Sequence, residues 1–389
     1  MAVVLFAWEL GSGNGHIARM LPVADGLSAM GHRPVFVVRH LSEAIRLPQR
    51  FEYPILQAPY WQPRRSANET PFSAASYADL LVRHGYGSGD DLDCLLRGWD
   101  SLLEFIKPAL VVADHAPTAC LAAWQRVPVA LLGDGFTIPP CTEQTFHTLN
   151  ATTPQIPQSR VYEKIQGVLE HRKRRVPESL TEVFAGASRF LATFPELDPY
   201  RSVREADECL GPLSMPSAPV ASARTPRIFA YLSSEYPQVV TVLEAFASAG
   251  LSCSVYFRDG QPTDLQRLRD KGIEVFDSPQ NVEELLPQVS AVVHHTGLNL
   301  GMEALAAGRP QLLLPRHLEQ DLNARAIEEL GTGRILGGRL RLSEIGQTLR
   351  ELAGCRTTSE RSYRLAVELH SRHSQGCLHH IVQCCHQLI

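Results

Sequence analysis

Short apolar runs alternate with helix-like segments along this chain, and the alternation occurs twice with a break between. Residues 3–7 (VVLFA) read as a strand, residues 16–30 as a helix ended by Gly31, and residues 34–38 as a second strand, with later strands at 109–113 and 129–133. Strands separated by helices pair in parallel, so the pattern predicts an α/β fold built on a doubly wound parallel sheet. Residues 215–226 (MPSAPVASARTP) hold small residues and prolines with few large apolar side chains, the composition of a linker. Alternation restarts at residues 228–232 and continues through 253–257, 274–276, 291–293 and 311–314. Two Rossmann-like domains are therefore expected, 1–214 and 227–375, with a linker at 215–226 and a terminal segment at 376–389. At 389 residues the chain is long enough for each to bury its own core.

Composition narrows the class. A hydrophobic share of 44% and a charged share of 20% are those of an ordinary globular protein. A net charge of −4 gives no field to attract nucleic acid or an anionic membrane. No apolar run reaches bilayer length, and the opening MAVVLFAWEL lacks a basic region and meets Glu9 early, so it reads as a buried strand and not a signal peptide. Nine scattered cysteines suggest no disulfide framework, and a reducing cytoplasm fits them best. Cys377, His379, His380, Cys384, Cys385 and His386 crowd the carboxyl end, but without a paired CxxC they read as a terminal helix and not a zinc site.

Chemistry concentrates in residues 291–325, AVVHHTGLNLGMEALAAGRPQLLLPRHLEQDLNAR. An apolar strand runs into His294-His295-Thr296-Gly297, and a helix opens behind it around residues 299–307. Such a turn is an anion site, because unpaired backbone N–H groups and the helix dipole point at whatever binds there. Glu303 falls one turn into the helix, within reach of a sugar's hydroxyls. Phosphate donors, an imidazole and a carboxylate at this spacing suit a nucleoside diphosphate.

A second cluster, Gly11-Ser12-Gly13-Asn14-Gly15-His16, follows the first strand. A dinucleotide fingerprint is one reading, but His16 occupies the third glycine position and strand two ends in Arg39, with no acidic residue to hold a ribose. Asp114 ends a later parallel strand, and the carboxyl ends of neighbouring strands converge on one edge. Asp114 and His16 are thus candidate partners; a helix N-cap is the alternative for Asp114, and a solvated surface residue for His16. His115 is a weaker candidate for the partner's part. Asp91-Leu92-Asp93 resembles a metal-binding DxD but sits in an acidic turn before a helix, where acids favour the dipole, and is read as structure.

The pattern HxG…E, then AxGxPQLxxP, then EQxxNA resembles the donor signature of the GT-B UDP-glycosyltransferases, which have plant, bacterial-antibiotic and animal members. Gln280 stands fifteen residues before His295, as the glutamine of the plant WxPQ does before its HCG. The tryptophan that stacks on uracil in plant members is Asp277 here, leaving the base open between uracil and thymine. The resemblance covers the chain end to end, with its specificity in residues 11–16 and 280–323. It implies inverting, metal-independent transfer of a hexose from a UDP or dTDP sugar to a hydroxyl of a small-molecule or lipid-like acceptor, with no cofactor. It implies His16 as catalytic base and Asp114 as its orienting partner. Gly13, Gln280, His295, Thr296, Gly297, Asn299, Glu303, Glu319 and Gln320 would bind the donor, Glu303 at the ribose and the Glu319-Gln320 pair at the sugar. It also implies that residues 376–389 pack back on the first domain. A nucleotide-sugar hydrolase and a non-catalytic sugar-nucleotide-binding protein remain as alternatives. Trp61, Phe72, Tyr77 and Tyr86 hint at an apolar or aromatic acceptor, or equally at local core.

Overall fold

A computed structural model of the chain describes residues 1–45, 47, 51–62, 74–154, 156–216, 218–219, 227–337 and 341–389. Phe72 and residues 217 and 220–226 of the expected linker lie outside the described residues. The chain divides into two compact units, Met1–Leu213 with Cys377–Ile389, and Ser214–Gly376.

The first unit runs β1 (Val3–Trp8), α1 (Gly15–Ala29), β2 (Arg33–Val38), α2 (Ser42–Ile45), β3 (Ile55–Gln57), α3 (Tyr77–Leu81), α4 (Gly89–Ile106), β4 (Leu110–Asp114), α5 (Pro117–Ala123), β5 (Val129–Gly133), α6 (Gln158–His171), α7 (Glu182–Ala185) and β6 (Ser188–Leu191). Its strands are parallel in the order β3-β2-β1-β4-β5-β6. The period of two along β1 sorts its side chains onto both faces. Leu5 and Ala7 join one core with residues of α4, α5 and α6, whereas Val4, Phe6 and Trp8 join another with residues of α1. Gly31 follows α1 at φ +86°, a left-handed stop that favours glycine.

The second unit runs β7 (Arg227–Ser233), α8 (Val239–Ser248), β8 (Ser252–Arg258), α9 (Pro262–Asp270), β9 (Glu274–Phe276), α10 (Val282–Leu285), β10 (Ala291–His294), α11 (Leu298–Ala306), β11 (Gln311–Leu313), α12 (Leu318–Glu329), β12 (Gly333–Ile335), α13 (Leu342–Gly354) and α14 (Arg356–Arg372). Its parallel order, β12-β11-β10-β7-β8-β9, is that of the first unit. The chain ends in α15 (Leu378–Gln387), whose Ile381, Val382 and Cys385 complete the α1-side core of the first unit. Among the described residues no helix is long and apolar enough to cross a membrane.

Three strands escape the sequence reading: β3, β6 and β12. Each is only three or four residues long at a sheet edge, too short to show a period, and exists because a neighbour supplies its hydrogen bonds. Two of the aromatic residues noted as acceptor candidates are core: Tyr77 and Tyr86 are 1% and 2% exposed, and Phe146 and Phe184 pack edge-on against Tyr77. The Asp91–Asp93 segment lies in the first turns of α4. Asp91 N–H donates to the Ser88 hydroxyl at 3.4 Å, and Asp93 pairs with Arg97 and, at 2.8 Å, with Arg172.

Helix α15 meets α1 at Gly26, where an added Cβ would stand 2.7 Å from Val382 Cγ2. Alanine normally favours a helix over glycine by about 0.5–1 kcal/mol, but here it drives a methyl into a stiff β-branched neighbour. We expect Gly26→Ala to destabilise the first unit by about 1–3 kcal/mol, and Val382→Ala in the same chain to recover most of that loss. All four tryptophans, at 8, 61, 99 and 124, lie in the first unit, so denaturant titration followed by tryptophan fluorescence reads the effect. An unchanged midpoint in Gly26→Ala would contradict it.

Candidate active site

In the first unit the strand order reverses between β1 and β4, the point in an open α/β sheet where ligands bind. The register pairs Trp8 with Asp114, so the turns after both strands leave the sheet side by side. Helix α1 starts at Gly15 and carries His16 in its first turn. His16 Nδ1 lies 2.9 Å from Asp114 Oδ1. Nδ1–H is the donor to the carboxylate, which leaves Nε2 as a bare acceptor. Asp114 is fully buried, and a buried carboxylate needs compensating partners. Arg19, one turn along α1, supplies charge, at 3.4 Å from Asp114 and 3.0 Å from Asp134. The indole of Trp8 stacks on the His16 ring with centroids 5.0 Å apart and planes 20° apart, a face that favours an imidazolium.

Sequence reading found His16 and Asp114 and missed Trp8 and Arg19. Arg19 had a signal, since a residue three positions after His16 shares its helix face. Gly11 and Gly13 take φ of +88° and +85°, and a Cβ on Gly11 would stand 2.5 Å from His16 Nε2. The glycine at position 11 thus clears the space in front of His16 Nε2. Glu9, at the end of β1, accepts from Thr118 N–H at 2.8 Å and from the Thr118 hydroxyl, anchoring the start of α5; burial pushes its pKa up to about 7 against those bonds.

The second unit repeats the geometry, with its order reversing between β7 and β10. His294 Nε2–H donates to Gln311 Oε1 at 2.8 Å while its Nδ1 accepts from Thr296 N–H at 3.2 Å. His295 Nδ1–H donates to Leu314 O at 2.8 Å, and its Nε2 accepts from Ser233 N–H at 3.1 Å. Both nitrogens of His295 are thus occupied, and burial lowers its pKa to about 4. It is a neutral strut joining β7, β10 and β11, with no N–H left for a phosphate in this arrangement.

Behind it, Thr296 takes φ +58°, and its buried hydroxyl has no partner among the described residues. Helix α11 follows Gly297 as its N-cap with no side-chain cap, so its first N–H groups carry the uncompensated dipole. Asn299 and Glu303 are half-buried on α11. Burial raises the Glu303 pKa to about 7, and Glu283 adds to the rise. Asn323 Nδ2–H ties α12 back to Thr296 O at 3.2 Å. Glu319 and Gln320 open α12 after β11, beside β10, and Gln320 Oε1 accepts from Arg316 N–H at 2.9 Å. Gln280 follows β9, the edge strand of the sheet, with its amide donating to Ser278 O at 2.9 Å. Asp277 pairs with Arg269 at 2.7 Å. Sequence reading also missed Arg258 and Arg316, whose guanidiniums both meet Glu235 near Ser233. Among the described residues no group of three or more His, Cys, Asp or Glu is placed to hold a metal ion.

Residues 258–388 match the family described as erythromycin biosynthesis protein CIII-like, C-terminal domain. The zeaxanthin glucosyltransferase of Pseudescherichia vulneris is 27% identical over 223 residues, 52% of this chain and 53% of that protein. The matched stretches span between 13% and 53% of the curated relatives' own length. Among solved structures, the glycotransferase of kitacinnamycin superposes with a TM-score of 0.68 at 17% identity, covering 100% of this chain and 99% of that one. SsfS6 of Streptomyces sp. SF2575, complexed with thymidine diphosphate, gives 0.60 at 16% identity over 100% of both chains. Over its whole length the chain has the two-domain GT-B fold of these structures, and over residues 258–388 its sequence is similar to the erythromycin biosynthesis protein CIII-like C-terminal domain family.

Proposed function

We propose that this chain is an inverting, metal-independent glycosyltransferase that moves a hexose from a UDP or dTDP sugar to a hydroxyl of an apolar or aromatic small molecule or lipid-like acceptor. The observation that carries the reading is the 2.9 Å His16–Asp114 bond with His16 Nε2 left open. Nε2 takes the proton of the acceptor hydroxyl, whose oxygen attacks the anomeric carbon while the bond to the diphosphate breaks. Asp114 holds the tautomer and stabilises the imidazolium that forms. Arg19 keeps Asp114 in place from the other side, and Trp8 offers its π face to the same cation.

The second unit receives the donor in this reading. The uncapped start of α11 and the turn residues Thr296 and Gly297 face the negative charge that develops on the leaving diphosphate. His295 braces that turn. Glu303 and Asn299 would hydrogen-bond the ribose and phosphates and Glu319 and Gln320 the sugar, with Gln280 towards the base. Thymidine diphosphate bound to SsfS6, a protein of the same fold, supports a pyrimidine nucleotide. The cytoplasm is the compartment that fits.

His16→Ala is expected to lower turnover by about 10²–10⁴-fold, the usual share of a general base, with donor affinity nearly unchanged; Asp114→Asn should lose less. Nucleoside diphosphate release, measured with UDP-glucose and dTDP-glucose with and without phenolic acceptors, reads the effect. Wild-type turnover in His16→Ala would refute the mechanism, and equal release without any acceptor would make the protein a hydrolase.

Glu303 gives a prediction with a defined sign. Its pKa rises on folding from 4.5 to about 7, so its stabilising contribution is present below 4.5 and lost as pH rises to 7. Glu303→Gln should therefore raise Tm at pH 8, with the gain shrinking to nothing near pH 4.5. The same variant should weaken nucleotide binding by tenfold or more in calorimetry, the loss of about 1.5–3 kcal/mol for a hydrogen bond to a charged group. Unchanged affinity for both UDP and dTDP would move the ribose site elsewhere.

Activity should survive excess chelator, because the leaving charge is met by fixed backbone donors and a helix amino terminus rather than by an ion. Abolition by chelator with rescue by manganese or magnesium would contradict this.

A further inference from the structure

His115 is a buried imidazole that the mechanism above does not use. It follows Asp114 at the end of β4 with φ +50°, and its carbonyl accepts from Leu10 N–H at 2.9 Å, which fixes it against the turn leaving β1. Tyr77 and Phe136 pack on its ring at 5.9 and 6.0 Å between centroids. Its Nε2 is buried with no hydrogen-bond partner among the described residues. Its Nδ1 points the other way, to within 3.6 Å of where a Cβ on Gly11 would lie. His16 Nε2 lies 2.5 Å from that same point. The two rings, 6.1 Å apart, thus turn one nitrogen each into a single notch that only glycine at position 11 leaves open.

The proton positions follow from the partners. Asp114 claims the Nδ1–H of His16, so the nitrogen it shows the notch is an acceptor. For His115, Nε2 is buried and unpaired in either tautomer, at a similar cost of about 1–3 kcal/mol, so the surroundings of Nδ1 distinguish the two. A proton on Nδ1 faces the notch, where a ligand oxygen can accept it. Burial also holds the ring well below the ordinary histidine pKa, so it stays neutral. The notch therefore presents one acceptor and one donor side by side, the complement of a single hydroxyl group.

We propose that His115 is a second acceptor-binding residue, its Nδ1–H donating to the same hydroxyl oxygen whose proton passes to His16 Nε2. The inference rests on His16 being the base. In the step, the hydroxyl proton goes to His16 and an oxygen lone pair forms the bond to the anomeric carbon. The diphosphate leaves with the electrons of the broken bond, and His115 keeps its proton throughout. A donor on the nucleophilic oxygen stabilises negative charge developing there, which favours acceptors with acidic hydroxyls, phenols and enols, over simple alcohols.

Two measurements test this. Long-range ¹H–¹⁵N spectra of the full chain should show His115 as the neutral Nδ1–H tautomer between pH 5 and 8; an Nε2–H tautomer or a charged ring overturns the proposal whatever the enzyme's acceptor. With UDP-glucose or dTDP-glucose and 4-methylumbelliferone, 4-nitrophenol and benzyl alcohol as probes, His115→Ala should lower kcat/KM for the phenols by about 10²-fold, the cost of one lost oxyanion donor. The KM for the nucleotide sugar should not move. His115→Asn, which keeps an N–H near the Nδ1 position and tolerates a positive φ, should recover at least a tenth of wild-type activity. If His16→Ala is inactive and His115→Ala matches wild type on every probe, this inference fails while the His16 reading stands.

Discussion

The parallel pairing of β1 with β4 is the constraint on which the candidate chemistry depends. Its register ends with Trp8 opposite Asp114, which sets the carboxylate beneath the first turn of α1 and the indole beside the same imidazole. A one-residue slip would turn every β4 side chain to the opposite face. It would also expel Leu110 and Val112 from the core they share with Val4, Phe6 and α1. The apolar packing of the sheet therefore specifies the register, and the register specifies the dyad. The buried charge of Asp114 is tolerable because two partners, His16 and Arg19, come from one helix face.

The second unit uses the same strand order with a different division of labour. Its histidines are internal: His294 closes on Gln311, and His295 bridges Ser233 and Leu314, so both serve to hold the loop ends of three neighbouring strands in fixed relation. What the fold leaves unspent lies one step further along, at the uncapped start of α11, the Thr296 hydroxyl and the Glu303 carboxylate. A buried carboxylate with a raised pKa and a buried hydroxyl without a partner both cost stability. Groups of this kind persist where a ligand supplies the missing partners. Rigid struts behind and unsatisfied polar groups in front is the arrangement that a diphosphate site needs, since preorganised donors do not reorganise when charge develops.

Much of this was legible in the sequence. The strand–helix alternation gave both sheets, because the long central strands are apolar on both faces and read as continuous runs. His16, Asp114 and the residues of the β10–α11 turn were legible because short motifs at strand ends map onto one edge of a parallel sheet. The edge strands β3, β6 and β12 were not, since three or four residues carry no period and pair only when a neighbour is present. Arg19 was within reach by helical spacing, whereas Trp8 looked like any strand residue until its ring was seen against His16.

The protein's sequence by itself determined the two α/β units, the order of their elements and the identities of the polar residues at the strand ends, because period and turn chemistry are local properties of the chain. Only the tertiary structure decided which nitrogen of each histidine is free. His16 keeps Nε2 open, His295 keeps neither, and His115 turns one nitrogen to the notch over Gly11 and buries the other. Those states depend on partners 19, 62 and 98 residues away in the chain, brought within about 3 Å by strand pairing. The sequence names a histidine, but its role is set by the hydrogen bond that its other nitrogen makes, and that bond exists only once the sheet has formed.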